Sequence, residues 1–438
     1  MKTKSHIIVA AMLAMLSAAA VATTAPTSPS ILLENAAIHT VSHGVIQGAD
    51  LLIEDGKIAA LGVDLDAPAD AKRIDLAGKH VYPGYIAANS VLGLTEISAV
   101  RATNDMSEVG PINPNVRALA AINADSELFP VARANGVLSA LIVPQAGNGG
   151  LLSGQAALIK LDGWTYEDMK LKAPSGEHLF WPTLRLPSWL PEQFAKKAQE
   201  SRKQKLAALD AAFRDARAYQ TAKNAGAIDT PDLRWEAMLP VLSGKEQLFI
   251  HASDILQIRD ALAFIDRQQL TNVVLVGGRD AWRLAAQLAQ RHIPVILESS
   301  HNLPLRRWEA YDSVYRNAAK LAAAGVTLAI ANDGTPMASS NERNLPYQAA
   351  SYAAYGLGKD AALRAITLTP AEILGVAKRM GSLDVGKDAT LFVADGEALD
   401  IRSHVLRAWI VGHEISLENR QTRLRDKYQR KYQGQAKH

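Results

Sequence analysis

His251 and Asp333 have the settings in this sequence that best suit chemistry. His251 closes the apolar run Leu248-Phe249-Ile250, and Asp333 follows Leu328-Ala329-Ile330-Ala331-Asn332. Between them, Glu298 and His301 come just after the apolar run Val295-Ile296-Leu297. An imidazole or a carboxylate at the end of a buried strand can ligate a metal or carry a proton. Each residue also has an ordinary reading. A lone histidine beside an apolar run can be a satisfied core residue, and an aspartate before a glycine can cap a helix or close a turn. Spacing alone does not choose between them.

Several other chemistries drop out. The chain has no cysteine, which removes disulfides, thiolate metal sites and cysteine nucleophiles. Ser153 stands in Leu151-Leu152-Ser153-Gly154-Gln155, which is not a Gly-x-Ser-x-Gly elbow. The carboxylates are scattered without the pairing a glycosidase needs. The glycine-rich stretch from Gly147 to Gly154 lacks the Gly-Lys-Ser/Thr ending that cradles phosphate and reads as a loop. With 47 basic and 44 acidic residues the net charge is +3, which gives no reason to expect nucleic acid as a partner. The basic end, residues 418–438, reads as a solvated helical tail.

The elements that must position these residues alternate along the chain. Apolar residues make up 48% of the 438, enough for a large core. Residues 31–62 read as strands, with Asp55-Gly56 as a tight turn between two of them. Short apolar runs at 136–143, 156–161, 247–251, 273–276, 294–297 and 326–330 read as strands. Helical patterns are expected over 192–222, 255–267, 279–291, 308–324 and 344–354, with Pro191 opening the first. Strands with apolar residues on both faces, each followed by a helix, predict an α/β domain with a parallel sheet. Periodicity does not separate an open sheet from a closed barrel.

The first residues have the form of an export signal. Lys2 and Lys4 precede an apolar run from Ile7 to Ala22, with Ala20-Val21-Ala22 as a small-x-small cleavage site. The run is short and alanine-rich for a membrane span, so no stable membrane anchor is expected. The expectation is a leader over 1–22, a linker over 23–30 and a periplasmic or secreted mature chain.

Val81-Tyr82-Pro83-Gly84-Tyr85-Ile86 joins the β-rich start to the alternating middle, and it resembles the first barrel strand of the amidohydrolase superfamily. Similar motifs lie on both sides. They are "Asp-Gly-Lys-Ile" at 55–58, the returning segment Gly381-Ser382-Leu383-Asp384-Val385-Gly386-Lys387, and Thr367-Leu368-Thr369-Pro370-Ala371-Glu372-Ile373-Leu374-Gly375. The resemblance runs from about Ile31 to Ile415 and is nearest to the imidazolonepropionase-like group. It implies a (β/α)8 TIM-like barrel over 83–380. It also implies a small β-sandwich built from both ends, 31–82 and 381–417.

The same resemblance implies zinc or another divalent metal, with His251 as a ligand after strand 5. Asp333 would be a ligand and general base after strand 8. Three of the four usual histidines are absent. Asn89-Ser90-Val91 replaces the His-x-His of strand 1, and Val276 or Gly277 stands at the strand 6 position. His301, or Glu298, is a possible non-standard third ligand. The implied activity is metal-dependent hydrolysis of a non-peptide carbon–nitrogen bond, amide or cyclic amide, in a small-molecule substrate. The alternative is a catalytically degenerate relative kept as a binding or assembly scaffold, as a homodimer or paired with an intact homologue.

Overall fold

The structure is a computed structural model that describes residues 30–147, 150–183, 186 and 190–435. The expected leader, and all of the linker but its last residue, lie outside the described residues.

Five strands open the described chain: β1 Ile31–His39, β2 Val45–Glu54, β3 Lys57–Gly62, β4 Lys72–Asp75 and β5 His80–Pro83. The middle carries β6 Tyr85–Ser90, β7 Val137–Ile142, β8 Leu152–Gln155, β9 Ala157–Lys160, β10 Lys170–Lys172 and β11 Glu177–Phe180. It continues with β12 Leu248–Ala252, β13 Val273–Gly277, β14 Val295–Leu297 and β15 Leu328–Ile330. The last strands are β16 Leu391–Ala394, β17 Val405–Ile410 and β18 His413–Ile415.

Both ends of the chain share one sheet, in the order β18-β17-β16-β5-β1-β2-β3 with β4 beside β1. The join is antiparallel, with Val393 opposite Val81. Leu33, Ile38, Leu51, Ile53, Val81, Leu391 and Trp409, from strands right across the sheet, meet in one buried cluster. Other residues of the same sheet, Phe392, Ala408 and Ile415, belong to the large core cluster shared with the middle of the chain. Each fully buried Leu or Ile of the first cluster contributes about 1.5–3 kcal/mol. The Asp55-Gly56 turn needs its glycine. Gly56 has φ +77°, and a Cβ there would stand 2.8 Å from the carbonyl oxygen of Val411.

The middle of the chain forms two further sheets, β10-β9-β7-β6 and β15-β14-β13-β12-β11-β8. They meet in the stretch 152–160, which is one extended run broken at Ala156. Its first half lies antiparallel to β11 and its second half antiparallel to β7. β6 and β7 run parallel, as do β11 to β15. Residues 365–366 lie between the outer edges. Ile330 N–H donates to Ala365 O, and Ile86 N–H to Ile366 O, each at 2.9 Å. Ile86, Leu141, Leu158, Phe249, Val274, Ile296 and Ala329, one from each of seven strands, share one buried cluster. The strands therefore wrap around a common interior.

Local expectations hold in part. Helices Glu192–Asn224 and Ile255–Arg267 form where the periodicity places them, and Asp254 caps the second with its side chain. The helix expected over 308–324 is a helix only from Asn317 to Ala323. The Arg306 guanidinium is bound to Asp280, Glu309 and Asp254, which pins the chain at 306–309 in a turn instead. Strand β11 has no counterpart in the sequence reading.

Candidate functional site

The C-terminal ends of the parallel strands bring several polar side chains to the edge of the apolar interior. On β11 and β12, alternate residues face inward. His178 lies opposite Phe249 and Phe180 opposite His251. His178 stacks on Phe249 with ring centres 4.6 Å apart, and His251 stacks on Phe180 at 3.9 Å. The two imidazoles meet directly, with His178 Nδ1 and His251 Nε2 separated by 2.9 Å. Burial lowers the His251 pKa to about 3, and burial together with the neighbouring His251 lowers that of His178 well below the usual imidazole range. At neutral pH the pair is uncharged and shares a single N–H···N hydrogen bond.

Beyond β13 and β14 the geometry turns acidic. Ser253 Oγ donates to Glu298 Oε2 at 3.2 Å. Burial and the charge of Asp333 lift the Glu298 pKa from 4.5 to about 7, against the opposing pull of Arg279 and Ser253. Asp333 Oδ1 accepts the backbone N–H of Ser299 at 3.1 Å. The strand 6 position falls at Val276, which is apolar and paired with His251, or at Gly277. A Cβ placed at Gly277 would lie 2.5 Å from Ser253 Oγ and 3.0 Å from Glu298 Oε1. The Ser253–Glu298 pair thus occupies the space that a side chain at 277 would need.

Between β6 and β15 a third group forms. Ser90 Oγ donates to Glu342 Oε2 at 3.3 Å, and Asn332 Nδ2 donates to Glu342 Oε1 at 3.1 Å. Asn89 Nδ2 donates to the backbone oxygen of Asn332 at 3.2 Å. Burial raises the Glu342 pKa from 4.5 to about 8, although its two hydrogen bonds favour the charged form. At neutral pH this carboxyl is mostly protonated. It is the centre of a clamp that ties the end of β6 to the segment after β15.

The candidates read from the sequence therefore separate. His251 and Asp333 lie at the ends of β12 and β15, each with its own partners. His301 is elsewhere. Its Nε2 is 2.8 Å from Ser351 Oγ, and it lines a groove with Tyr347, Ser351 and Glu397. Among the described residues, no three histidine, aspartate or glutamate side chains are grouped closely enough to hold a metal ion. His178, Ser253 and Glu342 were not singled out by the sequence. His178 follows Gly176 in an alternating Glu-His-Leu-Phe run, a weak strand signal. Glu342 carried none, because its burial comes from contacts distant in the chain.

Residues 267–421 match the amidohydrolase family. The amidohydrolase tasK of Hapsidospora irregularis is 24% identical over 395 residues, which are 83% of this chain and 39% of that protein. A dihydroorotase of Syntrophotalea carbinolica is 45% identical over 56 residues, 13% of each chain. The chain thus spans well under half the length of either curated relative. Among solved structures, an amidohydrolase from Thermotoga maritima MSB8 superposes with a TM-score of 0.77 at 28% identity. That match covers 88% of this chain and 99% of the other. A prolidase superposes with a TM-score of 0.54 at 15% identity, which speaks to the fold alone.

Proteins of this family usually bind a divalent metal such as zinc. A hydrolytic metal takes about three protein donors and leaves a position open for water. The residues present do not fit that demand. Asn89 spends its amide donor on Asn332 O, Val91 is apolar, Gly277 has no side chain, and His251 Nε2 faces His178. The donor set is replaced by hydrogen bonds between protein groups.

Proposed function

We propose that this chain, which carries an amidohydrolase family domain and is hydrolase-like in fold, is a member that binds a small amide-bearing molecule without the family's metal-assisted route. Its strands are read as a (β/α)8-type barrel whose C-terminal mouth receives the ligand. The observation that carries this reading is the clamp Ser90–Glu342–Asn332–Asn89, which fills with hydrogen bonds the strand 1 position expected to bind metal. Two buried atoms, one in the clamp and one in the histidine pair, support a binding role. Among the described residues, Asn89 Oδ1 and His178 Nε2 have no hydrogen-bond partner, and groups of that kind are normally satisfied by water or ligand. Export through the leader at 1–22 belongs to the proposal, as does association as a homodimer or with an intact homologue.

Metal analysis of the purified protein, run beside an amide and cyclic-amide turnover panel, tests it. The expected result is no bound metal and no metal-dependent turnover. Near-stoichiometric zinc that disappears in a His251→Ala/Asp333→Ala double variant would overturn the reading.

A second reading is favoured by one observation, the Glu298 carboxyl held at about 7 beside Asp333. Two such carboxyls can act as acid and base in a hydrolysis that needs no metal. That reading requires turnover insensitive to chelators, with a pH profile that bends near 7 and flattens in Glu298→Gln.

A further inference from the structure

The helix Arg420–Gln435 carries charge and exposed rings that the barrel chemistry does not use. Arg420, Arg423, Arg425, Lys427, Arg430 and Lys431 stand against the single acid Asp426, six minus one, for a net +5. The whole chain carries only +3, so the remainder is at −2 and the basic charge is concentrated in this arm. Leu424, Tyr428 and Tyr432 are 41%, 48% and 61% exposed. They recur every four residues and so form one stripe that turns by about 40° per step.

The way the helix is fastened sets where the stripe points. Asn419 caps its start, with Asn419 Oδ1 accepting the N–H of Thr422 at 3.1 Å. Arg423 then ties the first turn to the body through Glu127 at 3.2 Å. Arg423 lies roughly 140° around the axis from the middle of the stripe. The side held by the body is thus the far side, and the rings face outward with Lys427 and Lys431 along one flank.

We propose that this helix is a docking surface for anionic lipid headgroups, on which the protein rests reversibly. Tyrosine suits the boundary between headgroups and acyl chains, and the lysine stems can lie along it while their charges reach the phosphates. Charge complementarity chooses this occupant. A second copy would set +5 against +5. One leucine and two tyrosines are also too narrow a seam for a helix pair, which needs several apolar rows. Among the described residues no helix is long and apolar enough to cross a membrane, so the contact is made at the surface.

Flotation of the full chain with vesicles tests the proposal. Binding is expected to phosphatidylcholine vesicles containing phosphatidylglycerol, to fall with added salt, and to be absent on pure phosphatidylcholine. Lys427→Gln/Lys431→Gln should lose about 30-fold, from roughly five-fold per cation near an anionic surface. Tyr428→Ser/Tyr432→Ser should lose less and keep the salt dependence. Equal binding to neutral vesicles, no binding to anionic ones, or unchanged binding by the lysine variant would overturn it. So would a dimer in sedimentation that dissociates in Tyr428→Ser/Tyr432→Ser, since the stripe would then be covered by a second copy.

Discussion

Glu342 and Ser90 are separated by 252 residues in sequence and joined by a hydrogen bond of 3.3 Å at positions 1% and 0% exposed. The bond links the turn Glu342–Asn344 to the end of β6, at the place where the family resemblance leads one to expect a metal-binding histidine pair. A protonated carboxyl there can both donate and accept, whereas an ionised one only accepts. Glu342 accepts both clamp bonds, which favour its ionised form, so it is burial that makes loss of its proton costly in the folded chain.

That cost gives a pH prediction. The folded-state pKa of about 8 lies above the ordinary 4.5, with burial as the largest cause. The unfolded chain releases this proton near 4.5 and the folded chain keeps it to about 8. The contribution of Glu342 is therefore complete below about 4.5 and is lost as pH rises towards 8. Thermal unfolding measured across that window should show a fall in Tm that is shallower in Glu342→Gln, where no proton can be lost. Parallel curves for the two proteins would sink the idea.

The histidine pair predicts the opposite slope at lower pH. His251 has a folded pKa of about 3 and His178 is also depressed, so the folded chain holds both neutral. The unfolded chain takes up these protons as pH falls through about 6.5. Stability from the pair is present above about 6.5 and is lost as pH drops towards 3. His178→Phe/His251→Phe keeps the ring stacking on Phe249 and Phe180 and removes the titration. Its acid unfolding midpoint should lie lower than that of the unsubstituted protein, relative to each protein's stability at neutral pH. An unchanged midpoint would mean that the pair does not set acid sensitivity.

These groups differ in how far the sequence revealed them. His251 stood out because three apolar residues precede it, the mark of a strand buried on both faces. His178 did not, because β11 is four residues long and begins Glu-His, which breaks any apolar run. Glu342 lies in the polar string Asn341-Glu342-Arg343-Asn344, and its burial comes with contacts distant in the chain, such as the bonds from Ser90 and from Asn332 after β15. That the two chain ends come together was legible from matched motifs, since each end has too few strands to cover its own core, whereas the sandwich expected of them is a single sheet. The region 308–316 was misread as helix because local pattern gives no warning of a guanidinium held by carboxylates 26 and 52 residues away.

That guanidinium supplies a stability prediction. Arg306 donates to Asp280 at 2.6 Å and to Glu309 at 2.6 Å, with Asp254 at 3.4 Å, and Asp280 is only 2% exposed. Removing one partner from a buried ion network leaves a desolvated charge behind. Arg306→Ala should cost about 3 kcal/mol in urea unfolding, softened because Arg283 still reaches Asp280 and Glu309. Arg316→Ala, which removes an exposed partner of Asp312, should leave the midpoint where it is. Equal effects from the two variants would show that the Arg306 network is no more than a surface feature.

Gly277, one of the two residues at the expected strand 6 ligand position, tests whether that position has been rebuilt or merely vacated. Its φ of +100° is strained for any residue with a Cβ, at a cost of about 1–3 kcal/mol. The added atom would also press on Ser253 Oγ at 2.5 Å and on Glu298 Oε1 at 3.0 Å. Gly277→Ala should therefore destabilise the chain by more than the backbone strain alone. Ser253→Ala in the same molecule should recover the steric part and leave the strain, a coupling that a double-mutant cycle reads directly. A merely vacated position would accept the methyl group at the backbone cost only, with no coupling to Ser253. If the coupling appears, Gly277→His cannot restore a ligand at this position unless the Ser253–Glu298 pair is displaced first, and metal uptake should then require Gly277→His together with Ser253→Ala and Glu298→Ala.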